Sequence, residues 1–162
     1  MATPVPRGLM SDPGGGEPLA EIDYYDGAYG PSILLILTGK ESIAWLRMIF
    51  ESISAAPVGT VIDLAELPQV RATGGLRNLV LSKAANEPTK RLVLEATGVF
   101  AWSCTSDEWR TMSLMLEPFA VRSGHQYLTS EGVDDALVEV SYGEDHAKRG
   151  RHQSTPSSPA RD

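Results

Sequence analysis

A chain of 162 residues with one cysteine and a formal net charge of −7 has room for one domain and cannot close an intrachain disulfide. Its longest apolar run, Ile33 to Leu37, is too short to span a bilayer, the N-terminus has no apolar run of signal-peptide length, and a single thiol suits a reducing compartment, so the expected location is the cytoplasm. Between residues 17 and 145 the balance is harsher, 19 acids against nine Lys and Arg, so the domain repels phosphate backbones and favours a basic partner over nucleic acid.

Residues 1–16, rich in Pro and Gly, and 146–162, rich in Ser, Pro, Arg and His, are expected to be disordered tails around one domain at 17–145. Lys148, Arg149, Arg151 and Arg161 belong to the second tail and are assigned to a solvated end. Leu19 to Tyr25 alternates, with Ala20, Ile22 and Tyr24 on one face and Glu21, Asp23 and Tyr25 on a wet one, and forms a hairpin with the continuously apolar Ser32 to Thr38. Thr38 and Glu41 have capping-box spacing, and Leu46, Ile49, Phe50 and Ile53 give the first helix its buried stripe. Gly39-Lys40 lacks the flanking residues of a phosphate-binding loop.

Thr60 to Leu64 is the next predicted strand and Pro68 to Gly75 a loop. Leu76 to Ser82, Arg91 to Ala96 and Val99 to Cys104 then make a three-stranded meander, the last strand carrying Phe100, Trp102 and Cys104 on one face. Thr105 and Glu108 form a second capping box, and Trp109, Met112, Leu116 and Phe119 the stripe of a second helix, which Pro118 ends and Gly124 caps. The final strand, Ala136 to Tyr142, sets Ala136, Val138, Val140 and Tyr142 against a partly wet face that includes Glu139. The expected fold is α+β: a mixed or antiparallel sheet of six or seven strands in the order ββα-ββββ-α-β, with both helices mainly on one face. Hairpin, capped helix and strand occur twice, but residue similarity hardly extends beyond the caps, and no repeat is assigned.

Chemistry-bearing residues are few. Cys104 precedes a helix N-terminus and, with His125 as base, is the best enzymatic pair the chain offers, yet it shares a face with Phe100 and Trp102 and fits a small core residue better. His125, directly after the second helix, is placed to cap its last carbonyls. Trp102 and Trp109 fit core packing rather than a ligand platform. No metal-ligand spacing appears and no cofactor is expected. Glu131, Asp134, Asp135, Glu139, Glu144 and Asp145 come without any Lys or Arg between them, as a ridge facing a basic partner would.

Glu117-Pro118, the run Ser123-Gly124-His125-Gln126-Tyr127-Leu128, the run Val138-Glu139-Val140-Ser141-Tyr142-Gly143-Glu144 and the early Tyr24-Tyr25-Asp26-Gly27 together resemble an uncharacterised family of small bacterial proteins and the α+β immunity proteins of polymorphic toxin systems. The resemblance implies a non-catalytic cytoplasmic module that occludes a basic toxin domain, with Glu131, Asp134, Asp135, Glu139 and Glu144 steering encounter and Tyr127, His125, Tyr25 or Tyr29 at the contact. The alternatives are a small-molecule-binding regulatory domain and a small enzyme using Cys104 and His125.

Overall fold

A computed structural model describes residues 17–27, 30–86, 91–129 and 134–146. Strands β1 (Ala20–Gly27) and β2 (Gly30–Leu37) lead into helix α1 (Lys40–Ala55); β3 (Val61–Asp63), β4 (Val70–Ala72), β5 (Asn78–Lys83), β6 (Arg91–Ala96) and β7 (Val99–Cys104) lead into α2 (Ser106–Met115); β8 (Gly124–Tyr127) and β9 (Leu137–Tyr142) close the order. The α+β class with two helices holds, but the strands form two mixed sheets, β4-β1-β2-β9-β8 and β3-β5-β7-β6. Val70–Ala72, expected to be loop, pairs parallel with Ala20–Ile22 and shields the edge of β1. The expected meander is absent because β5 runs parallel to β7 on the side opposite β6.

Burial follows the alternation. Ile22 on β1, Ile33 and Leu35 on β2, and Val138 and Val140 on β9 face inward, as do Leu79 and Leu81 on β5 and Phe100, Trp102 and Cys104 on β7. Both helices pack against these faces: Phe50 of α1 lies 5.5 Å from Trp109 of α2 and 6.1 Å from Trp102. Tyr24 and Phe100, 5.3 Å apart, join the two sheets into one core.

The Thr105–Glu108 box forms as its spacing predicts, with the Thr105 N–H donating to Glu108 Oε2 at 2.8 Å. At α1 the cap shifts by one residue. Thr38 spends its hydroxyl on the Pro18 and Leu19 carbonyls, and the Gly39 N–H donates to Ser42 Oγ at 3.1 Å instead. Pro118 does end the second helix, opening a 3-10 turn at Glu117–Ala120. Gly124 does not cap it: with φ at 147° it begins β8, and His125 therefore sits on a strand rather than at a helix end.

The two sheets are built alike. Each has a hairpin, β1-β2 or β6-β7, whose second strand pairs parallel with the last strand of the other half, β9 or β5, which in turn pairs antiparallel with β8 or β3. Each hairpin is followed by a helix. The architecture is thus duplicated, with the closing strands exchanged between halves, although the residues show little of it.

Just past β4, the Thr73 N–H extends the pairing with β1 by donating to the Ile22 carbonyl at 2.7 Å. Along β6, the Leu92 and Leu94 N–H groups donate to Asp134 Oδ1 at 2.9 Å and Asp135 Oδ2 at 2.8 Å, and the Asp135 N–H returns to the Leu92 carbonyl at 3.1 Å. These carboxylates blunt an edge strand that would otherwise offer donors to another chain. Replacing both by alanine is expected to cost about 1–3 kcal/mol in urea denaturation and to produce concentration-dependent self-association in analytical ultracentrifugation.

Candidate functional site

Two antiparallel strands and one turn assemble a polar constellation at one end of the five-stranded sheet. In the β8–β9 register His125 lies opposite Ser141 and Tyr127 opposite Glu139, so these four side chains share the outer face of the five-stranded sheet. The rows continue inward as Ser141, Ile36 and Glu21, and as Glu139, Leu34 and Asp23. Glu21 ends its row in an ion pair with Arg71 of β4.

Gly143, at φ 68°, then turns the chain back over this face. A Cβ there would lie 2.8 Å from the Ser123 Cβ, so the turn needs glycine for space as well as conformation. It delivers Glu144, whose Oε1 lies 3.1 Å from His125 Nδ1 and whose Oε2 lies 3.0 Å from Ser141 Oγ. Ser141 Oγ is also 2.7 Å from His146 Nε2. An ionised carboxylate only accepts, so the one hydroxyl proton goes to Glu144 and His146 donates its Nε2–H to the serine oxygen.

Glu139 is only 3% exposed, against the expectation of a wet side for β9. Leu34 beside it and Ser141 two residues on are also buried, and Glu144 and His146 lie against Ser141. His125, Glu139 and Glu144 each offer a ligand atom within 4.8 Å of the others. Beside them opens a cleft of about 320 Å³ between the end of α2 and β8, lined by Met115, Phe119, Arg122, His125 and Glu144 among others. Val121, 89% exposed, follows the 3-10 turn, and Tyr127, 46% exposed, stands edge-on to His125 at 5.7 Å.

Of the residues singled out from the sequence, the structure thus gathers His125, Tyr127, Glu139 and Glu144. It places Asp134 and Asp135 along β6 in the other sheet. Glu131 and Tyr29 lie outside the described residues, as do 1–16 and 147–162. Cys104 is fully buried on β7, while His125 is on the outer face of the five-stranded sheet, where its ring meets Glu144 rather than a helix end. Glu21, Asp23 and Arg71 were not anticipated as neighbours of this face: the alternation of β1 gave the side of Glu21 and Asp23 but not the strand order, and Arg71 fell in an expected loop.

The fold and site define an α+β domain with an acidic, histidine-bearing sheet face beside a small cleft. No protein-family model matches the chain, and neither the curated proteins nor the solved structures contain a match. Among the described residues no helix is long and apolar enough to cross a membrane.

Proposed function

We propose that this chain is a non-catalytic protein-binding module that meets a basic partner through the β8–β9 edge of its five-stranded sheet, in the manner of an immunity protein occluding a cognate toxin domain. The observation that carries the reading is the grouping of Tyr127, His125, Glu139 and Glu144 on one face, in a chain of net charge −7. Tyr127 supplies apolar contact area, and the carboxylates supply an attractive field for a cationic surface. Asp134 and Asp135 contribute to that field from β6, while their oxygens hold its N–H groups.

The test is to purify the tagged full chain from its native cell, identify the copurifying protein and measure its affinity. A basic protein is expected, bound more weakly as salt rises. Tyr127→Ala should weaken binding about tenfold or more, and Glu144→Lys should slow association. A partner that bound both variants as tightly as the parent at every salt concentration would rule this face out.

The cleft favours a second reading, a small-molecule-binding regulatory domain. Its volume of about 320 Å³ is at the lower end of the range for ligand pockets. A rise in melting temperature with a small ligand and no protein partner would favour that reading.

A further inference from the structure

We propose that His125, Glu139 and Glu144 form a binding site for one divalent transition-metal ion of the Zn²⁺ type, with its remaining coordination position open to the adjoining cleft. The inference stands apart from protein binding, although both use the same face. Three potential ligand atoms lie within 4.8 Å of one another, one from an imidazole and two from carboxylates. One edge of the coordination figure is already at its closed length: His125 Nδ1 and Glu144 Oε1 are 3.1 Å apart. Two ligands at about 2.0–2.1 Å from a tetrahedral zinc are separated by about 3.3 Å. The third corner, Glu139, lies within 4.8 Å of the other two ligand atoms.

Rigid backbone holds all three positions. Glu139 and His125 come from paired strands, and Glu144 from the turn that only Gly143 allows. The Glu144 carboxylate is oriented by Ser141, and Ser141 by His146, which is the kind of outer support that metal ligands have. His146 Nδ1 is buried with no hydrogen-bond partner among the described residues, so the ring's position is set through its Nε2 contact with Ser141.

The donor set chooses the metal. A nitrogen with two carboxylate oxygens suits zinc and its neighbours, whereas calcium takes about six to eight oxygens. His125 and Glu144 both line the cleft, so a bound ion has solvent or a small ligand as its fourth partner. The sequence does not show this site because its ligands come from two strands and a turn, with 13 residues between His125 and Glu139, and no short motif joins them.

Titration of the metal-free full chain with Zn²⁺ by calorimetry, in the absence of any protein partner, is expected to give one site per chain. Co²⁺ in its place should show the visible bands of a low-symmetry nitrogen and oxygen site. Loss of an outer partner alone weakens metal sites about 10- to 100-fold, so His125→Asn and Glu144→Gln should each weaken binding at least that much. His125 and Glu144 side chains are 41% and 28% exposed, so both variants are expected to fold, and an unchanged melting temperature without metal checks this. Glu139→Gln is the third variant, read only if it folds. His152→Ala should leave the affinity unchanged. Absence of stoichiometric binding, equal affinity in the His125 and Glu144 variants, or loss of binding in the His152 variant would each overturn the proposal. Partner binding measured in chelator-treated buffer tests the other reading separately.

Discussion

Trp109→Ala is expected to remove about 3–5 kcal/mol of folding stability, a large part of the roughly 5–15 kcal/mol that a domain has. Trp109 has no exposed surface and stands at the junction of both helices and the four-stranded sheet, 5.5 Å from Phe50 and 5.1 Å from Trp102. Its indole N–H also donates to the Ser82 carbonyl at 3.0 Å, tying α2 to β5. The neighbouring Trp102 is as deeply buried, but its indole N–H has no hydrogen-bond partner among the described residues. Two conservative variants separate packing from hydrogen bonding. Trp109→Phe loses area and a hydrogen bond, worth about 1 kcal/mol more than area alone. Trp102→Phe loses area while relieving an unmet donor. Urea denaturation of the two should therefore rank Trp109→Phe as the more damaging, and equal losses would show that the Ser82 bond contributes nothing.

Gly98→Ala carries the second large effect. Gly98 turns β6 into β7 at φ 72°, where a Cβ would lie 2.2 Å from the Gly75 carbonyl oxygen. That oxygen is backbone and cannot rotate away. The Gly98 carbonyl meanwhile accepts from the Arg77 and Asn78 N–H groups, at 2.7 and 3.1 Å, so relieving the clash disturbs the entry to β5 as well. Gly59 is the control: its φ is 83°, but a Cβ there meets nothing within 4 Å. Gly59→Ala should cost only the left-handed conformation, about 1 kcal/mol, and Gly98→Ala about 3 kcal/mol, the difference reflecting backbone overlap. Thermal unfolding of the pair decides it. Matching melting temperatures would mean that the turn relaxes without cost.

Elements specified by their own residues were legible. The buried, two-sided β2, the alternation of β7 and the Thr105–Glu108 cap each depend on neighbours in sequence, and each formed where its pattern puts it. The misses depend on partners distant in sequence. Val70–Ala72 is a strand because the edge of β1 is there to receive it. Gly124–Tyr127 is too short to show a period, and becomes a strand by pairing with β9. The split into two sheets has no local signature at all, since it depends on which strand each hairpin meets. At the site, the carboxylates were visible as a group, but not their division: Asp134 and Asp135 went to β6, whereas Glu139 and Glu144 joined His125. Thr38 shows a smaller version of the same effect, its hydroxyl drawn from the helix cap to the carbonyls at the entry to β1.

The exchange of closing strands between the halves governs how the chain can be made. The first hairpin cannot complete its sheet until β8 and β9 exist, and the second hairpin builds on β5 and β3, which leave the first half without its own closing pair. Most of the polypeptide must therefore be synthesised before either sheet is whole. Closing such distant segments slows folding relative to a chain of local contacts. A nascent chain stalled before residue 137 would leave unpaired the edge of β2 that β9 occupies. During translation the four-stranded sheet can close first, while the first hairpin waits as a chaperone client until β8 and β9 emerge.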